Sequence, residues 1–284
     1  MPCSWTPGKS RLGEGSKPVD PRRREFIGAS LALLGTRSIF AQQQQQLGGA
    51  NRTAPPVPSL KGKITTLFKS PEGHPNALSV VPGGWWIAEQ KSDNACLVDR
   101  HGKLLKMVKT ESKNTSGMAI GDGYIWMGAN AAPYGIFQTD LNSKTVAHRQ
   151  IPLGGGGCHG LEYAEGKLWI VALRLRGILR VDPKAWEPEF LIPYNVPRAH
   201  GLAWDNGSIW MVTGNDEGAG LIRYDAADGR VLETVQFSEP YPDPHGLAML
   251  NNGMLYTCDA GIHPGWPENK SPASGYICRV GIFP

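Results

Sequence analysis

Five segments that begin alike, four strand-like runs in each segment, and a composition rich in turn residues predict an all-β fold of the propeller type. The segments open Pro75-Asn76-Ala77-Leu78, Thr115-Ser116-Gly117-Met118, Cys158-His159-Gly160-Leu161, Ala199-His200-Gly201-Leu202 and Pro244-His245-Gly246-Leu247. Their apolar fourth positions stand 40, 43, 41 and 45 residues apart. With 36 Gly, 23 Pro and nine Trp among 284 residues, turns and aromatics are plentiful and helix-forming blocks are scarce.

Each opening is followed by a turn and an aromatic-bearing strand, such as Tyr124-Ile125-Trp126-Met127 or Ser208-Ile209-Trp210-Met211. A third strand ends in Asp99, Asp140, Asp182 or Asp225, whose side chains can cap the reversal that follows. A fourth, outer strand completes those repeats, as in Lys103–Lys109. Four short strands per period of about forty residues fit a propeller blade better than a helical repeat. The central Trp of each second strand is expected to fill the wedge between blades.

The fifth repeat lacks a fourth strand, because its third, Tyr276–Val280, nearly reaches Pro284. Gly62–Ser70 copies Gly102–Thr110 almost position by position. The expectation is therefore a single domain over 61–284, with five four-stranded blades, closed by an N-terminal strand that completes the last blade and covers its open edge.

Ahead of the repeats, Arg22-Arg23-Arg24-Glu25-Phe26-Ile27 precedes the short apolar run Gly28–Leu34. Residues 1–41 read as a twin-arginine export signal, and the Gln- and Pro-rich stretch 42–60 as a leader. This implies a periplasmic or secreted protein with no stable membrane anchor, the apolar run being too short to span a bilayer. Residues 1–41 hold seven Lys and Arg against three Asp and Glu, leaving 22 of each sign in the remainder. That balance gives no footprint for nucleic acid or an anionic membrane. A monomer acting on a small molecule is expected. Four cysteines follow residue 41 with no C-x-x-C pair. Cys258 and Cys278 fall on neighbouring strands, where a disulfide and two buried thiols are both open.

The second residues of the five openings line the mouth of the channel: Asn76, Ser116, His159, His200 and His245. Ring symmetry should bring the three histidines together, which suits a divalent transition metal held by His159, His200 and His245, or acid–base work. The other reading is that His-Gly is a repeat signature, with imidazoles satisfied by backbone carbonyls. Loops after the second strands add Glu89, Asn130, Arg174, Arg176, Asn215, Asp259 and His263. Glu89 and Asp259 align and are candidate catalytic carboxylates beside His200 and His245. Asn76, Asn130, Arg174, Asn215 and His263 are candidate substrate contacts.

The combination of x-His-Gly-Leu, Gly-x-x-Trp-[Ile/Met] and an Asp-terminated third strand resembles the NHL and streptogramin (virginiamycin B) lyase group of propellers. More distantly, it is similar to the gluconolactonase/senescence-marker family. The lyase resemblance implies a divalent metal with a histidine and an acidic group close by, here His200 or His245 with Asp259 or Glu89. The lyase family has seven blades against the five counted here. The function expected is a metal-assisted lyase or hydrolase on a small polar molecule; the alternative is a non-catalytic periplasmic binding or scaffold propeller.

Overall fold

A computed structural model describes residues 56–215, 218–261 and 271–284. The expected signal segment, most of the leader, and His263 lie outside the described residues. Within them the chain is all-β, with two short 3₁₀ turns and strands arranged as a β-propeller.

Three sheets have four antiparallel strands in chain order. The first holds β2 (Pro75–Val81), β3 (Gly84–Glu89), β4 (Asn94–Asp99) and β5 (Leu104–Lys109). The second holds β6 (Thr115–Gly121), β7 (Tyr124–Ala129), β8 (Gly135–Thr139) and β9 (Thr145–Arg149). The third holds β10 (Cys158–Ala164), β11 (Lys167–Ala172), β12 (Gly177–Val181) and β13 (Pro188–Pro193).

An eight-stranded sheet takes up the rest. It starts with β14 (Arg198–Asp205), β15 (Ser208–Asn215), β16 (Gly218–Asp225) and β17 (Val231–Phe237). It continues through β1 (Ser59–Lys69), β20 (Tyr276–Phe283), β19 (Leu255–Cys258) and β18 (Leu247–Met249). As the sequence copy implied, β1 pairs antiparallel with β20, from Lys61 opposite Phe283 to Lys69 opposite Tyr276. A parallel pairing of Ser59–Gly62 with Thr234–Phe237 was not foreseen, and it fuses two units into one sheet.

Local chemistry accounts for the repeat. Asp122-Gly123, Glu165-Gly166 and Asn206-Gly207 all take positive φ, the two-residue turn whose twist matches the flanking strands. Asp99, Asp140, Asp182 and Asp225 each accept backbone N–H groups beyond their strand, as Asp99 does from His101 and Lys103 at 2.8 and 2.9 Å. The central aromatics fill the gaps between sheets. Trp86 packs with Met118 and Met127, Trp126 with Leu161 and Ile170, Trp169 with Leu202 and Met211, and Trp210 with Leu247 and Leu255. Tyr256 does the same with Leu78 and Ile87, so the last strands pack on the first sheet. Each buried Trp removes enough surface to contribute ~4–6 kcal/mol of transfer free energy.

The glycine of the His-Gly-Leu signature has a packing cause. A Cβ on Gly117 would meet the Leu161 amide at 2.8 Å, and one on Gly246 the Leu78 amide at 2.8 Å. One on Gly201 would come closer still to the Leu247 amide, at 2.2 Å. Neighbouring inner strands approach so closely around the axis that only a bare backbone fits.

Cys258 and Cys278 are free and buried. Cys278 stands opposite Thr257, so Cys258, one residue on, faces the other side of the sheet. The disulfide alternative is thereby overturned.

Candidate functional site

The mouth residues fall into two groups: Asn76 meets Ser116, and the three histidines form a row. The His159 and His200 rings stack at 4.4 Å, and His200 meets His245 edge-on at 4.6 Å. His200 and His245 are buried. His159 Nδ1 donates to Ala199 O (3.1 Å), which leaves Nε2 to accept from Asn130 Nδ2 (2.7 Å). Asn76 makes the equivalent bridge between its unit and the next, donating to Thr115 O at 2.9 Å and to Ser116 Oγ at 2.7 Å. Its Oδ1 is a buried acceptor with no partner.

At the other end of the row lies a cluster that sequence reasoning had only in part. His245 Nδ1 donates to the Asp243 carbonyl (2.8 Å), and its Nε2 accepts from Arg198 Nη2 (2.9 Å). Arg198 Nη1 also donates to the Asp243 carboxylate in a close ion pair. Asp259 Oδ2 accepts from the Asp243 amide (3.0 Å) and the Ser271 hydroxyl, and its Oδ1 accepts from the Gly261 amide (2.8 Å). Asp243, His245 and Asp259 each offer a ligand atom within 4.8 Å of the others, a group able to hold a metal ion. It shares one residue with the expected His159, His200 and His245 set.

Burial sets the protonation of this cluster. His245 is driven down to about 3, first by burial and then by the Arg198 charge, so its imidazole is neutral. Burial raises Asp259 to about 6, against the Ser271 hydrogen bond.

Glu89 is also raised by burial. It accepts from the His74 amide at 2.9 Å, two residues before the mouth position of its own unit, as Asp259 does from Asp243. The expected equivalence of the two carboxylates therefore holds, and both anchor the loop that leads into an inner strand.

Other expected contacts fall elsewhere. Arg174 is exposed in the middle of the 3₁₀ turn Leu173–Leu175, and Arg176 donates to Val196 O at 3.1 Å. Asn215 closes β15, its backbone opposite Gly218. One unforeseen carboxylate, Glu162 on β10, replaces the Ser79, Ala119, Ala203 or Ala248 of the other units. Burial raises it to about 7 although it accepts the Tyr163 amide at 2.9 Å and the Trp204 amide.

Arg198 and Asp243 stand two residues before the mouth position, outside the repeat signature. At that position the units carry His74, Asn114, Gly157, Arg198 and Asp243. Only the last two are opposite charges on consecutive units, which was the available signal.

The chain matches no family model and no curated protein. Among solved structures it is similar to a glutaminyl cyclase from Myxococcus xanthus, with a TM-score of 0.62 and 12% identity over 80% of this chain and 99% of that one. It is also similar to the virginiamycin B lyase of Staphylococcus aureus, with a TM-score of 0.46 and 17% identity over 74% of this chain and 67% of that one. The likeness to the cyclase holds for the propeller fold, and at 12% identity it does not extend to the reaction.

Proposed function

We propose that this chain is an exported, monomeric β-propeller enzyme, a metal-assisted lyase or hydrolase acting on a small polar molecule at the channel mouth. The ring is five four-stranded blades, closed where β1 completes the last one. Support for closure is the β1–β20 pairing together with the packing of Tyr256 on Leu78 and Ile87. Support for export is the twin-arginine pattern at Arg23-Arg24.

The observation that carries the enzymatic reading is the row of buried imidazoles running into the Arg198–Asp243–His245–Asp259 cluster. A purely structural channel would not need to concentrate so many desolvated polar groups at one end. His200 lies between two other rings and is the group placed to move a proton. Asn76 offers its unpartnered Oδ1 to a substrate donor, and Asn130 holds His159 in one tautomer.

A divalent ion fits the two carboxylates and one imidazole of Asp243, His245 and Asp259. Bound there, it would supply Lewis-acid polarisation of a substrate oxygen. Arg198 already lies on two of the three donors, so the ion enters by exchange with this guanidinium. Calorimetric titration with Zn²⁺ and Mn²⁺ tests this exchange. Arg198→Ala should bind at least tenfold more tightly than the wild type, and adding His245→Ala should abolish the gain. Indifference of all three proteins to either ion would sink the metal.

The second reading is a non-catalytic binding propeller. It is favoured by one fact: the hydrogen bonds of Arg198, Asp243 and Asp259 are largely spent inside the protein. On that reading the cluster only ties β14 to the β18–β19 unit.

A further inference from the structure

Zero net charge in the body of the chain conceals an uneven distribution over its rim. The outer strands of three consecutive units are free of carboxylates. Segments 59–69, 103–109 and 144–149 together carry eight Lys and Arg and no Asp or Glu. The other two outer strands differ, with Glu187 and Glu189 at β13 and Glu233 on β17.

The same three strands, with the turn before β9, hold six of the ten large hydrophobics exposed among the described residues. Leu67, Leu104, Leu105, Met107, Leu141 and Val146 are 42–56% exposed, whereas β13 and β17 hold none of the large exposed hydrophobics among the described residues. These segments adjoin one another. Phe68 of β1 lies against Gly102, and Lys106 Nζ donates to Leu141 O at 2.9 Å. The nearby Asp99 and Asp140 are turned to backbone amides as turn caps, and Glu111 lies past the end of β5.

We propose that this rim, formed by β1, β5 and β9, rests on an anionic lipid surface. Lysines interleaved with exposed leucines suit that occupant. The ammonium groups meet headgroup phosphates while the leucine and methionine side chains enter the acyl boundary. A neutral protein partner would not select against every carboxylate on three strands. The contact is peripheral and salt-sensitive, since exposed charges are screened within about 10 Å at 0.1 M salt.

The test is co-sedimentation of the full chain with phosphatidylcholine vesicles, with or without one-third phosphatidylglycerol. The expected result is binding to the anionic vesicles alone, weakening as salt rises. Lys61→Glu/Lys63→Glu/Lys103→Glu should lower the partition roughly 100-fold, at about fivefold or more per charge. Lys184→Glu/Arg230→Glu, in the other two units, should leave it unchanged. If the lysine variant does not fold, Leu105→Ser/Met107→Ser should still lower binding about tenfold. Equal binding by wild type and rim variants overturns the proposal. So does capture on polyglutamate beads without vesicle binding, which would mark an acidic protein as the partner.

Discussion

Replacing Arg198 with methionine isolates the energetics of the channel cluster. The arginine side chain is 15% exposed and that of Asp243 3%, so screening by solvent is weak. Methionine keeps the volume and removes the charge. The Asp243 carboxylate is then left buried without its cation, a loss worth roughly 3–5 kcal/mol. For a body of this size each kcal/mol moves the melting point about 2–4 °C, so the variant should melt roughly 6–20 °C lower. Differential scanning calorimetry at pH 7 reads this directly. Arg198→Met/Asp243→Asn removes both charges and should recover most of the loss, giving a coupling above about 1 kcal/mol in the double-mutant cycle. A single variant within about 1 kcal/mol of wild type would refute the reasoning, and so would a double variant no better than the single.

Three further outcomes follow from particular residues. Glu162 titrates near 7 in the fold against an ordinary 4.5, so its contribution is lost as pH rises through that window. Glu162→Gln should match wild type at pH 4.5 in urea melts and exceed it by up to about 3 kcal/mol at pH 8; parallel curves would remove Glu162 as the cause. Gly201→Ala puts a Cβ against the Leu247 amide, and the urea midpoint should fall by about 1–3 kcal/mol worth of stability. An unchanged midpoint would mean that the inner strands can part. Deleting residues 59–69 exposes the edges of β17 and β20 and should give an aggregating product; a soluble deletion that melts cooperatively would rule out β1 as the closing strand.

The strand plan was legible because each repeat writes its own punctuation. Asp-Gly and Asn-Gly turns, Asp caps and central Trp residues all act within a unit or on its immediate neighbour. The β1–β20 pairing was legible for the same reason, as one segment copied another. The β1–β17 pairing was not, since parallel register depends on how two units meet in space rather than on a local pattern. At the site, symmetry placed the three histidines in one row but could not say where their nitrogens point. His159 turned out to bridge to Ala199 O, as the backbone-satisfied reading held. Arg198 and Asp243 escaped notice because their chemistry exists only as a pair, 45 residues apart in sequence. The Cys258–Cys278 alternative failed on a one-residue register that spacing alone does not fix.

An enzymatic channel mouth must turn over substrate. Initial rates on a panel of small lactones and esters, for wild type and for His200→Ala at matched folded fraction, decide it. Turnover by wild type that falls at least about 100-fold in His200→Ala, with melting unchanged, is the predicted result. No turnover by wild type, or rates that ignore the loss of His200, would contradict it and leave the channel a structural clasp.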